Sequence, residues 1–107
     1  MRTFIPVAFA AALLAAAPAS AAHTVTISGF AFSPKVMTVR AGDAVTFVNK
    51  DQEAHTVVAT GGWFSSSGLD TNDSWTVRLA KPGTYAYFCS LHPYMKGTLV
   101  VRAKAGM

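Results

Sequence analysis

The apolar positions of this chain change their spacing at residue 23. Before it, residues 4–17 are almost uninterrupted apolar sequence. After it, apolar and polar residues alternate with a period of two, the signature of half-buried strands. Val25 and Ile27 share one face of a strand over 23–30, and a second short strand over 35–40 follows the turn at Ser33 and Pro34. Ala41, Gly42 and Asp43 turn the chain into a strand over 44–49, which puts Val45 and Phe47 two apart. Further strands are predicted over 55–60, 74–79 (Trp75, Val77, Leu79), 84–89 (Tyr85, Tyr87, Cys89) and 97–103 (Leu99, Val101). Residues 61–73 are rich in Gly, Ser, Asn and Asp and read as loop with at most a short strand. No stretch after residue 22 carries a 3.6-residue apolar stripe, so the fold expected is all-β, a sandwich of seven to eight strands.

Composition divides the chain at the same place. Seventeen of the first 22 residues are hydrophobic, whereas 38 of the remaining 85 are, an ordinary share for a globular domain. Arg2, the apolar run and the small residues Ala19, Ser20, Ala21 and Ala22 form the pattern of a cleaved export signal over 1–22, leaving a domain over 23–107. The apolar run falls short of the roughly 20 residues that span a bilayer, so no stable membrane insertion is expected after cleavage. Ala21 and Ala22 both satisfy the small-residue rule as the last residue of the signal, and the second choice would expose His23 as an amino terminus whose amine and imidazole could chelate a divalent metal ion.

The domain keeps eight basic and five acidic residues, spread without a run. That excludes a nucleic-acid-binding stripe, and the strand pattern leaves no amphipathic membrane helix. Export places the domain in an oxidising compartment where cysteines usually pair, yet Cys89 stands alone. It opens the sequence Cys89-Ser90-Leu91-His92-Pro93-Tyr94-Met95, with Cys, His and Met at i, i+3 and i+6, and His55 lies 34 residues upstream. A thiolate, two imidazoles and a thioether are the donors of a type 1 copper site, two histidines and a cysteine in a plane with a weak axial methionine. Zinc rarely takes a thioether, hard cations want carboxylates, and a c-type haem wants two cysteines. The donor set therefore points to one copper per chain.

These residues, together with Phe32-x-Pro34, Gly42-Asp43-x-Val45-x-Phe47-x-Asn49, Pro82-Gly83-Thr84-Tyr85-x-Tyr87 and Gly97-Thr98-Leu99-Val100-Val101, resemble the cupredoxins. The short Cys-x-x-His-Pro-aromatic-Met loop is most similar to that of the amicyanins, within the plastocyanin-like group. The resemblance implies a Greek-key sandwich, with His55, Cys89 and His92 as equatorial ligands and Met95 as the axial one. It implies that Asn49 ties the two ligand-bearing loops together through Ser90. It also implies an apolar docking patch of Leu91, Pro93 and Tyr94 around His92, and a tyrosine corner at Tyr85. The function expected is that of a soluble, monomeric electron carrier of the periplasm and not an enzyme, cycling between Cu(I) and Cu(II). Its partners would be redox proteins, with a dehydrogenase as donor and a cytochrome as acceptor. The alternative is a periplasmic copper chaperone or storage protein, a role usually filled by open sites rich in methionine or histidine, which this sequence lacks.

Overall fold

Where the chain alternates, it forms strands. The structure, a computed structural model, describes residues 21–104. The export-signal reading therefore falls outside the described residues, except for Ala21 and Ala22. Eight strands follow in order: β1 (Ala22–Ile27), β2 (Phe32–Ser33), β3 (Val36–Arg40), β4 (Ala44–Asn49), β5 (Val58–Ala59), β6 (Ser74–Arg78), β7 (Gly83–Phe88) and β8 (Lys96–Arg102). They make two four-stranded sheets, ordered β2-β1-β4-β6 and β3-β8-β7-β5. Both are mixed: β1 runs parallel to β4, and β3 parallel to β8. The result is the expected all-β Greek-key sandwich, with no helix among the described residues.

The period-two faces become the two inner walls. Val25, Ile27, Val45 and Phe47 line one sheet, while Tyr85, Tyr87, Leu99 and Val101 line the other, all at 6% exposure or less. Phe32, Phe47 and Tyr87 meet edge to face between them, with ring centroids 4.8 to 6.3 Å apart. Tyr87 lies opposite Gly97 across the β7–β8 ladder, and any side chain at Gly97 would collide with the phenol ring. Glycine is thus required there by a close approach rather than by backbone conformation. Tyr85 donates its hydroxyl to the Lys81 carbonyl at 2.5 Å, four residues upstream, which closes a tyrosine corner.

Two predicted strands are shorter than the alternation indicates. The strand expected over 55–60 survives only as Val58–Ala59, because the residues before it pair with the following loop instead: His55 bridges Leu69, and the Val57 carbonyl accepts the Ser66 N–H. The strand expected over 23–30 stops at Ile27. There Gly29 (φ 64°) and Phe30 (φ 58°) form a two-residue hairpin loop into β2, closed by Ser28 N donating to the Ala31 carbonyl at 3.0 Å. Positive φ at both central residues is the hairpin pattern that matches strand twist. For Phe30 that conformation costs about 1–2 kcal/mol, since its Cβ crowds the backbone.

Candidate metal centre

One end of the sandwich gathers the predicted donors. β7 delivers Cys89 as the residue after its last position, and the chain then turns twice. His92 N donates to the Cys89 carbonyl (3.2 Å) and Met95 N to the His92 carbonyl (2.9 Å). Cys89 N in turn donates to the Met95 carbonyl (3.1 Å), so the seven-residue loop closes on itself. The i, i+3, i+6 spacing is thus the spacing of successive turns. His55 arrives from the long β4–β5 connection. The donor atoms of His55, Cys89 and His92 all lie within 4.8 Å of one another. Cys89 Sγ is 3.7 Å from His55 Nδ1 and 3.8 Å from His92 Nδ1. Cys89 and His55 are wholly buried, Met95 is 2% exposed, and His92 is half-buried.

Each buried donor is held by a neighbour. Cys89 Sγ accepts the Thr56 backbone N–H at 3.3 Å. Burial opposes the thiolate, but that N–H and the His92 side chain are the main groups that favour it, and the thiol is pushed down to about 6. Asp51 holds His55: its Oδ2 lies 2.9 Å from Nε2. A carboxylate only accepts, so Nε2 carries the proton and the Nδ1 lone pair faces Cys89. The same carboxylate accepts the Gly29 N–H (2.7 Å) and the Phe30 N–H (2.8 Å). Burial opposes the charge on Asp51, but the Phe30 and Gly29 amides and the His55 side chain together hold its carboxyl below the ordinary value.

The structure links the two ligand-bearing segments differently from expectation. Asn49 is fully buried, but its Nδ2 donates to the Glu53 (2.9 Å) and Leu69 (2.8 Å) carbonyls, and its Oδ1 accepts the Asp51 N–H (2.9 Å). It shapes the segment carrying His55 and makes no bond to Ser90. The bridge to Ser90 comes from Thr56, whose Oγ1 accepts the Ser90 N–H at 2.7 Å and lies 2.8 Å from Ser90 Oγ. Residues 61–73 also gain a part in the site. His55 and Leu69 exchange both backbone bonds (3.1 and 2.8 Å), so this loop props the buried histidine. Sequence reasoning missed Asp51, Thr56 and Leu69. The position of Asp51 four residues before His55 was the one available signal, and no spacing announced the other two.

Around His92 the surface is apolar. Leu91 (54%), Tyr94 (69%) and Pro93 are exposed, and the Tyr94 ring stands 6.3 Å from the imidazole. His23 is elsewhere, with Nε2 2.9 Å from Asp43 Oδ2, near the start of β1.

One sulfur that ionises readily and two imidazole nitrogens, with a buried thioether on the same loop and no carboxylate oxygen in the cluster, fit copper better than zinc or a hard cation. The similarity to known proteins agrees. Residues 1–101 match the family model described as Cupredoxin-like domain. The chain is 35% identical over 98 residues to amicyanin-alpha of Methylorubrum extorquens, covering 86% of this chain and 82% of that protein. It is 30% identical over 94 residues to plastocyanin of Dryopteris crassirhizoma, covering 71% of this chain and 92% of that one. Among solved structures, the reduced form of an amicyanin mutant superposes with a TM-score of 0.73 at 27% identity, over 79% of this chain and 86% of that chain. A copper-containing nitrite reductase from Thermus scotoductus superposes with a TM-score of 0.70 at 34% identity, over 91% of this chain but only 25% of that chain. With its sandwich, its donor cluster and this match across nearly its whole length, the chain belongs to the cupredoxin-like family.

Proposed function

We propose that this protein is an exported type 1 copper protein that carries single electrons between redox proteins. The observation that carries the reading is the convergence of Cys89 Sγ and two imidazoles within 4.8 Å on a rigid, mostly buried framework. His55, Cys89 and His92 would hold one copper, with Met95 as the weak axial donor. When bound, copper supplies one-electron chemistry by alternating between Cu(I) and Cu(II).

The chain supplies the rest. Thr56 N–H and the loop bonds among Cys89, His92 and Met95 fix the donors in advance, so little has to move when the charge at the site changes. Asp51 presents the correct nitrogen of His55. Burial of Cys89, His55 and Met95 excludes water and hinders exchange of the ion, which favours a carrier over a chaperone. His92 is the half-buried exception, and its rim of Leu91, Pro93 and Tyr94 is where a partner would dock. Small, weakly charged faces suit brief redox encounters. The relatives' names point to the same class of role, and a dehydrogenase donor and cytochrome acceptor remain the partner classes to test. Export to the periplasm follows from the signal-like residues 1–22. Because β1 begins at Ala22, cleavage after Ala21 leaves that strand whole.

The test is the visible spectrum of the Cu(II)-loaded protein beside a Cys89→Ser variant. An intense thiolate-to-copper band in the parent, absent from the variant, with reversible one-electron voltammetry, is the expected result. A parent without the band refutes the site. A band without reversible redox, together with rapid copper exchange, returns the reading to copper handling.

A further inference from the structure

We infer that Phe30 is a positioning residue of the metal centre, an aromatic brace that holds the imidazoles of His55 and His92 in place before any metal arrives. The inference rests on the copper reading for its purpose, but not for its test.

The three rings form a closed triangle. Phe30 lies edge-on to His55, with centroids 5.0 Å apart and planes at 86°, and edge-on to His92 at 4.9 Å and 85°. The two imidazoles are themselves 5.0 Å apart. Edge-to-face contact is directional as well as attractive, so one ring constrains the tilt of both others. This matters most for His92. Among the described residues the one polar contact of its ring is the long 3.8 Å approach to Cys89 Sγ, with Tyr94 a more distant aromatic neighbour at 6.3 Å, whereas His55 is also tied to Asp51.

The backbone shows that this placement is maintained against local preference. Phe30 occupies the second central position of a hairpin loop with positive φ at both central residues, a slot where glycine is the usual residue. A merely connecting turn has no reason to carry phenylalanine there. What holds it is Asp51, whose carboxylate takes the Gly29 and Phe30 amides and the His55 Nε2 proton together. One carboxylate thus couples the strained turn to the buried ligand, and the Phe30 ring extends the coupling to the half-buried one. Strained residues over-determined by their surroundings cluster at functional sites.

The test exploits the strain. Phe30→Gly and Phe30→Asn both suit a positive φ, so neither threatens the turn, and both remove the ring. Phe30→Tyr keeps it. Imidazole line widths and relaxation dispersion of His55 and His92 are measured in the metal-free chain, and copper release to a chelator in the loaded one. The expected result is exchange broadening of the His92 ring signals and severalfold faster copper release in Phe30→Gly and Phe30→Asn, with parental behaviour in Phe30→Tyr. Sharp, parental His92 signals in both ring-less variants overturn the inference. So does equal broadening in a folded Phe30→Tyr, because the ring would then not be the cause. A parent that lacks the thiolate band refutes the copper reading separately, since the metal-free spectra do not depend on it.

Discussion

Asp51→Ala removes the acceptor on which three donors converge, and its cost can be worked from their environments. The Gly29 N–H is exposed, so water replaces the lost bond at about 0.5 kcal/mol. The Phe30 N–H is half-buried and loses a bond to a charged group, about 1 kcal/mol. His55 is fully buried, so its Nε2 proton would be stranded at about 1–2 kcal/mol. Relaxation of the positive φ at Phe30 returns part of this, about 1 kcal/mol. The net loss expected is about 2 kcal/mol. In urea melts of the metal-free chain, with a slope near 1 kcal/mol per molar for a small domain, the midpoint should fall by about 2 M. The imidazole has one escape: moving its proton from Nε2 to Nδ1 removes the stranded donor but blocks the nitrogen that faces Cys89. Nitrogen NMR of His55 in the variant should therefore show a larger share of the Nδ1–H tautomer. A midpoint within about 0.3 M of the parent, with His55 still protonated on Nε2, would show that Asp51 does not hold this histidine.

Other outcomes follow from single contacts. The Tyr87 hydroxyl is buried and has no partner among the described residues, so Tyr87→Phe should stabilise the chain by about 1 kcal/mol, and a loss of stability would mean the hydroxyl is satisfied. Gly97→Ala drives a methyl group into the Tyr87 ring and should cost about 1–3 kcal/mol in thermal melts, with no loss refuting the close approach. Asp43 is depressed by the Arg40 amide and His23 above all, and Asp51 by the Phe30 and Gly29 amides against burial. Both folded carboxyls lie below the ordinary 3.8, so their contribution to stability is complete above that pH and is lost as pH falls through the folded values. Acid titration of metal-free stability should show this drop, flattened in Asp43→Asn, and an unchanged slope in that variant would remove Asp43 from the account. In the metal-free chain the ultraviolet thiolate absorbance of Cys89 should rise with a midpoint near 6, and a midpoint near the ordinary 9.0 would mean that Thr56 and His92 do not stabilise the thiolate.

Much of this protein is local and was therefore legible along the chain. Alternation of Val25 with Ile27, Val45 with Phe47 and Tyr85 with Tyr87 decided which side chains face inward, since a strand's two faces follow from its pleat alone. Cys89, His92 and Met95 share one loop, so their spacing carries the chemistry without reference to the rest of the fold. What the sequence could not determine is which distant backbone meets that loop. Thr56 rather than Asn49 reaches Ser90 because β4–β5 passes beside the Cys89 segment at that residue, a consequence of sheet packing. Residues 61–73 look like a plain loop, yet Leu69 pairs with His55 because the fold brings them together. Phe30 appears as one more apolar residue after β1. Only the tertiary structure, by turning the chain at positive φ over the Asp51 carboxylate, places its ring against both imidazoles.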